Sequence, residues 1–339
     1  MNILGIIASS RQGATSTIAV ADNDTPYIHA YSFTNSSGFG TKYANPATLP
    51  TGGGNGVSFN PAKNTIAVAH SASPRISVYP WSNASGFGSK YANPATLPTG
   101  DGFAVTFNPA GDVIAVAHDQ SPMVSAYPWS NATGFGTKYA NPATVGGFGL
   151  GIDFNSAGNV IAVADFSSPY IFTYPWSSGF GTKYANPTPL PGTRGWDTAF
   201  RPGGDVIAVA HEDSPFVTAW PFSSGFGTKY ANPATLPTGA GKEVTWNPAG
   251  DVIAVGHETS PYISAYAWSS GFGSKYANPA TLPSSTVQGV AFNPAGDAIA
   301  LASSGTPYII AYPWSAGFGT KYANPATLPT GGSNNVAFI

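Results

Sequence analysis

The segment GFG-[TS]-KYANP occurs seven times in this chain, with its lysines at Lys42, Lys90, Lys138, Lys183, Lys229, Lys275 and Lys321. The spacings between them are 48, 48, 45, 46, 46 and 46 residues. A self-similar period of this length marks one supersecondary unit stacked many times, so the shared residues set the fold. Residues that differ between copies are where a specific site belongs.

The second copy gives the unit. VSFN (57–60) is a short β-rich run, PAKN a turn, and TIAVAH (65–70) a second run. SASP turns into RISVYPW (75–81), rich in β-branched and aromatic residues. SNASGFG reads as a further turn and SKYANPA (89–95) as a fourth run, with Pro94 placing it at an edge. No segment has a helical period. IAVA is apolar on both faces, so it needs neighbours on both sides. Hairpins exclude a parallel β-helix. A radial stack satisfies every constraint, and the expected fold is all-β: a seven-bladed β-propeller of four-stranded antiparallel blades.

The copies are permuted relative to the blades. TIAVAD and YIHAYSF (17–33) are second and third strands, and VAFI (336–339) is a first strand. The chain therefore reads as one domain, 1–339, with residues 1–16 an N-terminal extension or extra strand and 17–339 the repeats. VAFI is expected to complete the first blade by pairing near Thr17 to Ala21. NILGIIAS (2–9) competes for that place, but it copies no other part of the chain.

Strand one plus turn, VAFNPAGD (290–297), and the YPW segments at 79–81, 127–129, 174–176 and 312–314 resemble WD-repeat propellers. The Asp after Trp and the Gly-His pair of that family are absent, so its buried hydrogen-bond network is not expected here. The repeats are also similar to propellers encoded by bacteriophages, and that resemblance implies a virion or host-contact role. The opening ILGIIASSRQGATST resembles the phosphate loop of flavodoxin-like FMN reductases through Ser9, Ser10, Arg11, Gly13 and Thr15. That fold needs alternating helices and parallel strands, which do not follow.

Composition narrows function. Only 8% of residues are charged and the net charge is -2, with no basic stripe for nucleic acid or an acidic membrane. There is no cysteine, which removes disulfides and thiol chemistry. The N-terminus lacks a signal-peptide pattern, and no apolar run is long enough to span a bilayer.

Strand two ends in His70, His118, His211 and His257, with Asp22, Asp165 and Ser303 in the other copies. Symmetry holds these blades apart, so a shared metal ion is not expected and they read as polar caps at the surface. Tyr27, Arg75, Met123, Tyr170, Phe216, Tyr262 and Tyr308 follow the next proline and read as the first packed residues of strand three. The repeat lysine and tyrosine read as outer-edge packing.

The sharpest divergence lies at the entry to strand one. Two positions before the repeat's Val stand Asn55, Phe103, Leu150, Trp196, Lys242, Gln288 and Asn334; one before, Gly56, Ala104, Gly151, Asp197, Glu243, Gly289 and Asn335. Arg194, Trp196, Asp197, Lys242 and Glu243, with His211, Glu212, His257 and Glu258, are expected to form a ligand or partner site at the channel mouth of blades five and six. Asp197 and Glu243 are also a candidate glycosidase pair, which needs carboxylates about 5–9.5 Å apart. Lys242 beside them argues for two ionised groups. The expectation is a non-enzymatic structural or adhesion module of a phage particle. It would contact virion proteins or a host-surface protein or glycan, at a virion or extracellular location, without cofactor, metal, nucleic acid or membrane insertion. A lectin-like propeller is the alternative and a glycoside hydrolase a distant one.

Overall fold

The computed structural model describes residues 16–339 and contains seven antiparallel sheets. Each is a blade. The inner strands are Gly54–Phe59, Gly102–Phe107, Gly149–Phe154, Gly195–Phe200, Gly241–Trp246, Val287–Phe292 and Ser333–Phe338. Each touches the next, and Ser333–Phe338 touches Gly54–Phe59, so the contacts close a ring around a central channel.

The second strands explain why the blades stack. In Thr65–His70, Ile66 and Val68 pack among Ala19, Ala21, Ile28 and Ala30 of the blade before. Ala67 and Ala69 face the blade after, against Val105, Phe107, Ile114 and Val116. The I-A-V-A sequence thus puts a bulky face and a small face back to back. Bulky side chains of one blade fill the space left by the alanines of its neighbour, as close packing requires.

The tight turn after the inner strand has its own lock. Asn108 Oδ1 accepts the backbone N–H groups of Asp112 and Val113 at 3.0 and 3.0 Å, and Asn108 Nδ2 donates to Asp112 Oδ1 at 2.7 Å. This is the side chain to backbone bonding that makes Asn a turn residue. The turn after the second strand carries the repeat proline and then a residue at positive φ, from Met123 at 65° to Arg75 at 73°. Tyr27, Arg75, Met123, Tyr170, Phe216, Tyr262 and Tyr308 are therefore turn residues, and strand three begins one residue later.

The outermost strand differs from the sequence reading in position. Pairing occurs at Gly86–Phe87 and Gly134–Phe135, within the segment read as a turn, rather than along SKYANPA. Blades four, five and seven keep only single bridges there, Trp176 to Phe180, Phe222 to Phe226 and Trp314 to Phe318. The KYANP segment instead packs outward onto the next blade. Tyr43 meets Trp81 edge-on at 4.9 Å and donates its hydroxyl to Asn83 O at 2.8 Å. Tyr322 does the same to Phe33 and Asn35 O across the ring closure, at 5.2 and 2.8 Å. Each repeat lysine donates to the Asn three residues on.

The ring closes through the C-terminal strand. Ile18 pairs with Phe338, Ala19 with Ala337 and Val20 with Val336. Thr17 and Ile339 exchange both backbone hydrogen bonds, at 2.9 and 3.0 Å. The competing segment 2–9 and the FMN-reductase-like loop lie outside the described residues. Among the described residues no helix is long and apolar enough to cross a membrane.

Candidate functional site

A strand's period of two sends alternate residues to the channel. On Gly195–Phe200 the channel-facing residues are Asp197 and Ala199, while Thr198 and Phe200 are buried in the blade. A bulge adds a third. Gly195 pairs with His211 and Asp197 with Ala210, leaving Trp196 as the extra residue. The other blades carry the same irregularity, at Asn55, Phe103, Leu150, Lys242, Gln288 and Asn334. Bulges re-aim side chains, and here they set a ring of seven divergent residues around the mouth.

The channel has two connected chambers. The outer one, about 200 Å³, is lined by that ring together with Asp197, Glu243 and Asn335. The inner one, about 340 Å³, adds Asp153, Ala199, Thr245 and Ser58. Asp197, Glu243 and Asn335 line both and so stand at the join between them.

Asp153 is a site residue that the sequence reading missed. It occupies the position after the repeat's Val, where the other copies have Ser58, Thr106, Ala199, Thr245, Ala291 and Ala337. Period two puts it on the same face as the position before, and it is the single ionisable residue in that row. Its Oδ2 accepts Phe200 N at 2.8 Å, and Asp197 Oδ2 accepts Val244 N at 3.1 Å. Each carboxylate thus pins its own inner strand to that of the next blade. Gly151 makes room for Asp197, since a Cβ there would collide with the carboxylate.

Three carboxyl groups share the channel wall, and burial raises each of them above the ordinary carboxylate range. Burial pushes Asp153 up to about 7, with Asp197 adding repulsion. Burial also raises Asp197. Glu243 is raised well above its ordinary value, first by burial and then by the Asp197 charge. Asn335 fixes its orientation: Nδ2 donates to Glu243 Oε2 at 2.8 Å, while Oδ1 accepts Val57 N at 3.1 Å. This corrects the expectation that Lys242 would hold both carboxylates ionised. Lys242 is the bulge residue of its strand and stays at the mouth, where it meets Glu258 at 2.6 Å.

The other expected residues divide. Arg194 lies 3.2 Å from Glu212, and its guanidinium stacks over Phe166 at 3.9 Å and Trp196 at 5.0 Å. Lys242 Nζ sits 3.7 Å over the Trp196 ring. Arg194, Trp196, Lys242, Glu212 and Glu258 therefore form one surface at the mouth. His211 and His257 do not join it. They are fully buried, as are His70 and His118, rather than capping strands at the surface. His70, His118 and His257 each bond a serine of strand three, Ser77, Ser125 and Ser264, at 3.1, 3.0 and 3.0 Å. The loop arriving from the previous blade covers these strand ends, as Thr238 does over His257 and Thr330 over Asp22. Among the described residues no group of three or more His, Asp or Glu is placed to hold a metal ion.

No family model matches this chain, and no curated protein matches it by sequence. Solved structures do match its fold. A candidate 6-phosphogluconolactonase of Bacteroides uniformis has a TM-score of 0.73 at 14% identity, over 96% of this chain and 99% of that one. A second candidate 6-phosphogluconolactonase, from Bacteroides fragilis, reaches 0.75 at 12% identity, over 97% and 99%. The periplasmic gluconolactonase of Pseudomonas aeruginosa reaches 0.73 at 13%, over 96% and 99%. These likenesses establish the propeller fold. They also overturn the expectation of a non-enzymatic, phage-borne adhesion module: proteins sharing this architecture end to end carry lactonase names, and neither a WD-repeat nor a phage propeller is among these neighbours.

Proposed function

We propose that the chain is a hydrolase that opens lactone rings in its central channel, with Glu243 as the acid and Asp197 as the base. The observation that carries this reading is the Asp197–Glu243 pair at the join of the two chambers. Burial raises both, and the Asp197 charge raises Glu243 further. Two carboxyls whose surroundings push their ionisation apart supply an acid and a base together.

In the proposed reaction, ionised Asp197 takes a proton from a water molecule as its oxygen attacks the lactone carbonyl carbon. The tetrahedral intermediate collapses with cleavage of the bond between that carbon and the ring oxygen. Protonated Glu243 gives its proton to the departing ring oxygen, so the product is an open hydroxy acid. Asn335 is a positioning residue: its bond to Oε2 leaves Oε1 to carry the proton. The lactonase names of the structural neighbours support the reaction class, while no residue role is carried over at 12–14% identity.

The test is proton release from δ-valerolactone and glucono-δ-lactone by wild type, Glu243→Gln and Asp197→Asn. Loss of general acid or base should lower kcat by about 100-fold or more, with melting temperature preserved. An inert wild type, or variants as active as wild type, would refute the reading.

A further inference from the structure

The channel mouth has two unlike arcs. Gln288, Asn334 and Asn55 form an amide arc on blades seven, one and two, where Asn334 Nδ2 donates to Gly54 O at 2.9 Å and Asn55 Nδ2 to Gly102 O at 2.8 Å. Phe103, Leu150 and Trp196 form an apolar arc on blades three, four and five. The apolar arc does not stop at the mouth. Trp196 continues through the Arg194 guanidinium to Phe166, and Phe166 meets Phe148 edge-on at 5.5 Å.

Phe148 and Phe166 are 38% and 39% exposed. Among the described residues the markedly exposed large apolar side chains are Phe148, Phe166, Leu190 and Leu282, so two of the four stand together beside the mouth. Other blades have small or polar residues in their places, such as Gly53 and Ser71 or Asp101 and Asp119. An exposed aromatic pair joined to the cavity wall at Trp196 through a stacked guanidinium is a surface suited to binding an apolar group.

The cations on this face are each paired with a carboxylate. Arg194 is paired with Glu212, Lys242 with Glu258, and Arg75 with Asp101. A phosphate arriving here would have to displace a carboxylate from a cation and would then face that carboxylate.

We infer that the preferred substrate is an uncharged lactone bearing an apolar arm, with the ring at Asp197 and Glu243 and the arm along Leu150, Trp196, Phe166 and Phe148. The inference rests on the lactonase reading and names its substrate class. Ring hydroxyls or the ester oxygens face the amide arc. A phosphorylated sugar lactone is disfavoured by the paired cations.

The test compares δ-valerolactone, δ-octalactone, δ-decalactone and 6-phosphoglucono-δ-lactone with wild type and the double variant Phe148→Ser, Phe166→Ser. Each added methylene should raise kcat/KM roughly threefold to fourfold, and the double variant should flatten that rise. Rates independent of chain length, or a preference for the phosphorylated lactone, would overturn the inference and leave the lactonase reading standing. If no lactone is opened, the lactonase reading fails. The arm site is then read alone by titrating tryptophan fluorescence with δ-decalactone: a chain-length-dependent affinity lost in the double variant supports it, and no binding overturns it.

Discussion

Phe338→Ala tests how this ring is held shut. Phe338 is 8% exposed and meets Phe33 edge-on at 4.9 Å in the core between blades one and seven. Phe292 holds the same position one blade earlier, also 8% exposed, 5.3 Å from Trp314. Removing a buried Phe side chain costs about 3–5 kcal/mol, because transfer and cavity terms add. With an unfolding entropy of about 2.1 cal/mol/K per residue, a chain of 339 residues loses about 4–7 °C in Tm for that cost. If Ser333–Phe338 is the closing strand, Phe338→Ala and Phe292→Ala are equivalent lesions and both shift the calorimetric Tm by that amount. A terminal strand that frays in solution would give a different result. Phe338→Ala would then move Tm by less than about 1 °C, while Phe292→Ala would keep its full effect, and the closure argument would fail.

Burial pushes His70, His118, His211 and His257 down to about 4, from an ordinary 6.5. The stability they contribute is complete above pH 6.5 and is lost as pH falls toward 4. Asp153, pushed up from 3.8 to about 7, works the other way: its contribution is complete below the ordinary carboxylate range and is lost as pH rises through 7. Asp153→Asn should therefore match wild type in urea unfolding near pH 3 and gain steadily toward pH 7; a gain that does not change with pH contradicts the assignment. Tyr91→Phe should cost about 0.5–1.5 kcal/mol, since it deletes the bond from Tyr91 Oη to Asn131 O at 3.0 Å but keeps the Trp129 contact at 4.9 Å. Urea midpoints would show it, and a neutral result would mean that water replaces that bond without loss.

Much of the fold was legible because repetition averages away local ambiguity. IAVA with a bulky and a small face recurs in nearly every blade, and a permuted VAFI pointed to the strand that closes the ring. The outer strand was misplaced because KYANP looks like a β run. Its hydrogen bonds are instead irregular, with Gly88 N to Pro80 O and Tyr91 N to Val78 O, and its tyrosine packs onto the next blade. The strand-end histidines read as surface groups because nothing local reveals that the loop from the preceding blade crosses above them. At the channel, divergence between copies singled out Trp196, Asp197, Lys242 and Glu243. It could not say that a bulge separates Lys242, paired with Glu258 at the mouth, from Glu243, which reaches the inner chamber. That separation reverses the electrostatics: the neighbour in sequence does not neutralise the carboxylate, and burial beside Asp197 raises it. Asp153 is legible in principle, as the one charged residue in the position that follows the repeat's Val.

The measurement that bears most directly on the channel as a catalytic site is the pH profile of kcat/KM for δ-valerolactone with wild type and Glu243→Gln. A bell is expected in wild type, because Asp197 must be ionised and Glu243 protonated, and a fall of about 100-fold or more in the variant with loss of the alkaline limb. Equal rates in the two proteins, or a wild-type profile without an alkaline limb, would contradict it.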